Sequence, residues 1–142
     1  MLCHLYVRAG IAYIPTAAKT EAGYYLDIEP VEVTAVSNSV AFDAALKRAI
    51  NRGHPVVPTP TRMTFPRPVI LKYAKARSIN GFERGATYWQ LTKENELYKI
   101  GKWKKRPQGG WVPDPTREQT MRPRATLGDA TKRLVERVQS DA

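Results

Sequence analysis

A chain of 142 residues can bury a real core in one domain, and 42% hydrophobic with 25% charged residues is ordinary globular composition, so neither a disordered tail nor a fibrous repeat is expected. The single cysteine, Cys3, excludes an internal disulfide framework and fits a reducing compartment. No apolar run approaches the roughly 18 residues of a spanning helix, and MLCHLYVRAG lacks the basic leader and long apolar core of a secretory signal, so a cytoplasmic protein with no membrane association is expected. The net charge of +10 directs attention to an anionic partner, nucleic acid, an anionic membrane surface or an acidic protein, without choosing among them.

In chain order, Leu5 to Ile14 alternates Leu5, Val7, Ala9, Ile11 and Tyr13 against Tyr6, Arg8, Gly10 and Ala12. It is expected as one strand stopped by Pro15, with Pro15 to Gly23 a polar connection. Tyr24 to Val36 is a second strand region, apolar at Leu26, Ile28, Val31 and Val33; its phase slips at Pro30, which points to a bulge or break. Ser39 to Arg52 is the clearest helix. Asn38 or Ser39 caps it, Phe42, Ala45, Leu46, Ala49 and Ile50 form one apolar stripe, and Gly53 ends it. His54 to Pro68 is proline-rich and expected as an extended surface segment. Val69 to Ala74 reads as a short buried strand, and Ser78 caps a brief helix from Ile79 to Arg84.

All three tryptophans lie between Phe82 and Pro115. Thr87 to Leu91 and Leu97 to Trp103 are expected as the strands of a hairpin, with Thr92 to Glu96 as its turn region. Trp89 and Leu91 share one face of the first strand, Tyr98 and Ile100 one face of the second, and the four form a cross-strand apolar set that something must cover. Trp111 to Pro115 and the segment to Arg124 read as irregular. The last element is a helix from Leu127 to Gln139, capped by Thr126 with Asp129 in the capping-box position. The sum is a single α+β domain over residues 1–142, a mainly antiparallel sheet with two main helices packed on one face of it.

Catalytic chemistry is hard to find. One cysteine and two histidines, His4 and His54, cannot build a Cys/His metal cluster. Cys3 and His4 point to opposite sides of a strand, and no phosphate-binding glycine loop or nucleophile elbow occurs. Asp27, Glu29 and Glu32 leave a carboxylate metal site as the remaining enzymatic alternative. Neither a catalytic residue, a metal site nor a cofactor is therefore assigned. Basic residues interleaved with aromatics, above all Lys102 to Arg106 around Trp103, support a second alternative, a basic nucleic-acid-binding module.

Across Phe42–Arg62, Phe82–Ile100 and Gly110–Pro115 the chain resembles small bacterial immunity proteins, the partners of polymorphic toxins that include those of contact-dependent growth inhibition systems. The resemblance implies a cytoplasmic, non-catalytic protein that neutralises one cognate toxin domain by binding it. It carries over no functional residues. Immunity proteins against nucleases are commonly acidic, so a charge of +10 implies a toxin with an acidic surface, or a contact away from any basic groove. Aromatics and arginines dominate binding hot spots. The expected interface therefore comprises Tyr88, Trp103, Lys104, Arg106 and Trp111, with Arg62 and Arg67 on the proline-rich segment.

Overall fold

The structure, a computed structural model, describes residues 1–141. Its first three strands are β1 (Leu2–Arg8), β2 (Ile11–Thr20) and β3 (Tyr25–Ala35), followed by α1 (Ser39–Asn51). Then come β4 (Val56–Val57), α2 (Ile70–Ala74), α3 (Ile79–Glu83), β5 (Ala86–Glu94) and β6 (Leu97–Lys102). The chain closes with β7 (Lys104–Lys105), β8 (Trp111–Val112), a 3-10 turn at Pro115–Arg117, β9 (Glu118–Thr120) and α4 (Leu127–Ser140). The main sheet runs β3-β2-β1-β5-β6-β9, antiparallel throughout, with β4 added in parallel to the end of β2. This is the expected α+β class with two long helices, although helices cover both faces of the sheet, not one.

The expected single strand from Leu5 to Ile14 is two strands joined at Ala9 and Gly10. Both residues have positive φ (51° and 76°), as a tight two-residue hairpin requires. Tyr6 pairs with Tyr13, so Leu5 shares its face with Ala12 and Ile14, while Tyr6 shares the opposite face with Ile11 and Tyr13. Pro15 does not stop β2. It lies at an irregularity where β2 advances from Ile14 to Thr16 while β3 runs from Glu32 back to Ile28, so two additional β3 residues bulge outward and the ladder needs no donor from the proline. The segment from Thr16 to Thr20 is strand, with Thr16, Ala17, Ala18 and Thr20 buried. Thr16 is tolerated because its hydroxyl donates to the Pro30 carbonyl at 2.8 Å. The slip expected at Pro30 is real and sits in this bulge; Val33, one of the apolar residues of the strand pattern, is 48% exposed.

The late hairpin forms as expected but with a narrower turn, Asn95 and Glu96, both at positive φ. Leu91 faces Ile100 directly, and Trp89, Leu91, Tyr98 and Ile100 are all buried. Phe42, Ala45 and Leu46 of α1 and Ala130, Leu134 and Val138 of α4 cover them. Burying each large apolar side chain here contributes roughly 1.5–3 kcal/mol. The two helices are tied by the Thr131 hydroxyl, which donates to Asp43 at 2.6 Å. Asn38 caps α1 through Ala41 N–H, and the Thr126–Asp129 capping box starts α4.

Three stretches differ from expectation on the other face and at the edge. Val69 to Ala74 is helix α2, because Ile70 and Leu71 are both buried in the second core with Tyr13, Val31 and Phe82. Adjacent residues on a strand would point to opposite sides; one helical turn, closed by Lys75 at positive φ, puts both down together. Trp111–Val112 pairs with Lys104–Lys105 in a separate two-stranded flap, and Glu118–Thr120 extends the main sheet beyond β6. No described helix is long and apolar enough to cross a membrane.

Candidate functional site

Tyr88 is the centre of the face opposite α1 and α4. Its ring lies 4.8 Å from Tyr6, 5.5 Å from Trp103, 5.7 Å from His4 and 5.8 Å from Trp111, centroid to centroid. The packing is aromatic on aromatic, so each polar atom in it needs a partner. Gln90 donates to the Tyr88 hydroxyl at 2.7 Å, Tyr6 donates its hydroxyl to Asp27 at 2.9 Å, and His4 Nδ1 lies 2.6 Å from the second Asp27 oxygen. Burial, and then the Asp27 carboxylate, push the Tyr6 phenol well above its usual range. Burial likewise raises the Tyr88 phenol. On the opposite side of β1, burial followed by Asp27 pushes the Cys3 thiol up to about 12, so Cys3 is an inert core residue.

Two segments frame this face. The flap follows β6: Trp103 N–H donates to Tyr88 O, and the turn closes through Gly109 and Gly110, both at positive φ. Gly110 N–H donates to Glu83 at 3.2 Å, and the Lys105 ammonium stands 5.4 Å from the Trp111 ring centroid. The strap runs from His54 to Pro68. His54 anchors it by accepting from Leu2 N–H and bonding the Ala17 carbonyl at 2.7 Å. The ends of β2 and its turn add Lys19 N–H to Pro55 O, Glu21 N–H to Val57 O and Ala22 N–H to the Thr59 hydroxyl. Arg67 locks the far end by donating to the carbonyls of Ala76 and Arg77.

Between strap and sheet is a cleft of about 340 Å³, with Tyr6 and Asp27 at its floor and Tyr25, Phe65, Arg67 and Trp111 on its walls. A larger concavity, about 620 Å³, lies at the end of α4 and is lined mainly by polar and charged side chains, among them Arg117, which binds Asp141 at 2.8 Å. The smaller cleft differs in its aromatic walls, the kind of lining common in binding sites.

The residues expected at an interface divide between these two segments. Tyr88 is 6% exposed, so it is not the exposed aromatic expected; it supports Trp103 and Trp111 from beneath. Trp103 and Trp111 are half-buried, and Lys104 and Arg106 stand exposed on the flap. Arg62 and Arg67 are exposed on the strap. Trp111 and Arg67 both line the cleft, whereas Arg62 lies outside its walls. Sequence reading missed Tyr25, Phe65 and the floor role of Asp27. The available signal was Phe65 itself, a large apolar residue among prolines where nothing local could bury it.

The early carboxylates do not converge. Asp27 is taken by His4 and Tyr6; Glu29 accepts from Lys72 and Tyr73, whose hydrogen bonds hold it below its usual pKa. Glu32 is on the α1 side, where burial works to raise its pKa but Arg52 and Arg48 together outweigh that and lower it. Among the described residues no three His, Cys, Asp or Glu side chains are placed to hold a metal.

No protein-family model matches the chain, and no curated protein matches it. Solved structures share its fold. A protein of unknown function from Neisseria meningitidis superposes with a TM-score of 0.66 at 8% identity, over 99% of this chain and 94% of that one. A chain of the CdiA-CT/CdiI toxin and immunity complex from Yersinia pseudotuberculosis superposes with a TM-score of 0.64 at 6% identity, over 94% of this chain and 92% of that one.

Proposed function

We propose that this chain is a non-catalytic immunity protein that binds and neutralises a cognate toxin domain in the bacterial cytoplasm. The observation that carries the reading is the near full-length fold likeness to a chain of a toxin and immunity complex. The site geometry supports it. Acidic side chains on the early strands are each taken up by neighbouring partners on two faces of the sheet, while an aromatic cleft with Arg67 on its wall lies beneath a strap tied by hydrogen bonds at both ends. That arrangement is equipped to seat a protein surface and has no convergent acid–base machinery.

The test is co-expression with the toxin domain encoded immediately upstream. The expected result is rescue of growth and recovery of a stoichiometric complex; toxin activity undiminished by an excess of this protein would refute the reading. A basic nucleic-acid-binding module is the second reading, favoured by the exposed Lys104, Lys105 and Arg106 beside Trp111 on the flap. It requires affinity for tRNA or DNA that survives near-physiological salt and falls steeply above it.

A further inference from the structure

Large apolar side chains left in water are unevenly distributed over this molecule. Val56 is 71% exposed, Met63 92% and Phe65 59%, all on the strap, and Tyr24 and Tyr25 stand exposed at the adjacent β2–β3 hairpin. Outside this end, the described residues expose only Val33 and Val40 to a comparable degree. Three of them are linked directly: Tyr25 and Phe65 wall the same cleft, Val56 pairs with Lys19 of β2, and the Lys19 ammonium lies 6.0 Å from the Tyr25 ring centroid; Met63 is two residues from Phe65, and Tyr24 adjoins Tyr25. A soluble protein rarely leaves such a patch without a partner for it.

The strap that carries the patch is tied at both ends, and the patch is ringed by charge. Hydrogen bonds tie the strap to β2 at Pro55, Val57 and Thr59, and Arg67 ties it to the chain after α2. A fixed surface loses little conformational freedom on binding. Lys19, Arg62, Arg67, Lys75 and Arg77 lie around it, and none is in an ion pair among the described residues; Lys72 is the neighbouring cation that is, with Glu29. Against these stands one exposed, unpaired carboxylate at the hairpin, Glu21. The flap differs: its tryptophans are half-buried against Tyr88, and its exposed groups are almost all polar.

We infer that the strap-and-hairpin surface, centred on Phe65, Met63 and Tyr25, is where the protein partner seats, and that the partner's matching surface is apolar at its centre and acidic at its rim. This rests on the immunity reading and specifies the chemistry of the toxin face. Apolar anchors supply the affinity, and the surrounding cations steer encounter and select an acidic rim.

The probe is the toxin domain encoded immediately upstream, titrated against full-length protein. Phe65 and Met63 are exposed, so M63A/F65A leaves the melting temperature within error, and it is expected to weaken binding about 100-fold or more. R62E/R77E slows association about tenfold at low salt, an effect that disappears at high salt. K104A/R106A on the flap changes the affinity less than about threefold. A wild-type protein that binds and protects, with M63A/F65A indistinguishable from it, overturns the docking surface and leaves the immunity reading standing. So does a flap variant that loses binding while the strap variants keep it. A wild type that neither binds nor protects, or that binds tRNA in preference to the toxin domain, removes the immunity reading and this inference together.

Discussion

On the α1–α4 side of the sheet, Trp89, Leu91, Tyr98 and Ile100 meet Phe42, Leu46 and Leu134 in continuous apolar contact. On the other side, Tyr88 packs against Tyr6, Trp103 and Trp111, and the two tyrosine hydroxyls are partnered by Asp27 and Gln90. The first face is covered by two long helices, with a concavity of about 620 Å³ at the end of α4 that reaches Trp89. The second is covered by two five-residue helices, a strap and a flap, and retains a cleft. The larger apolar core is therefore on one face and the proposed docking surface on the other. The single sheet between them lets a mutation be aimed at either.

The largest loss is expected from the helix side. Leu134→Ala removes a fully buried side chain at the α4–sheet contact, and a cost of about 2–5 kcal/mol is expected by urea denaturation. Asp27→Ala, on the cleft side, leaves the Tyr6 hydroxyl and His4 Nδ1 without their shared acceptor. That costs roughly 1–3 kcal/mol. Because Asp27 also bridges β1 to β3 at the cleft floor, the same change loosens the cleft, and faster amide exchange in β1 would show it. Glu32 offers a pH-resolved probe. Its folded pKa lies below the ordinary 4.5, so its pairing with Arg48 and Arg52 contributes stability above that value. The contribution is lost as the pH falls through the folded value. Glu32→Gln is expected to reduce stability at neutral pH and to flatten its decline on the acid side, with the two proteins converging at low pH. The smallest effect belongs to the flap: Lys105→Ala removes an exposed cation from above Trp111 and should change stability by roughly 0.5–1 kcal/mol or less.

What could be read from the sequence divides along the same two faces. The helix side was legible because its signals are periodic: the stripes of α1 and α4, their caps, and the alternation that placed Trp89, Leu91, Tyr98 and Ile100 together. The cleft side was not, for local physical reasons. Ala9 and Gly10 turn the chain in two residues without interrupting the alternation of apolar side chains, so two strands looked like one. Pro15 is harmless to β2 only because β3 bulges beside it, which no local pattern records. Ile70 and Leu71 suit a strand as well as a helical turn, and the second core decided between them. Lys104, Arg106 and the strap arginines were recognisable as exposed cations, and Trp111 as an aromatic. That Arg67 and Trp111 share a cleft with Tyr25 and Phe65 follows only from the tertiary fold.

Hydrogen exchange of the protein alone and mixed with any toxin domain encoded immediately upstream tests the proposed division most directly. New protection in residues 54–68 and at the β2–β3 hairpin, with α1 and α4 unchanged, is the result this account requires. Protection confined to α1 and α4, or none anywhere in the presence of saturating toxin domain, would contradict it.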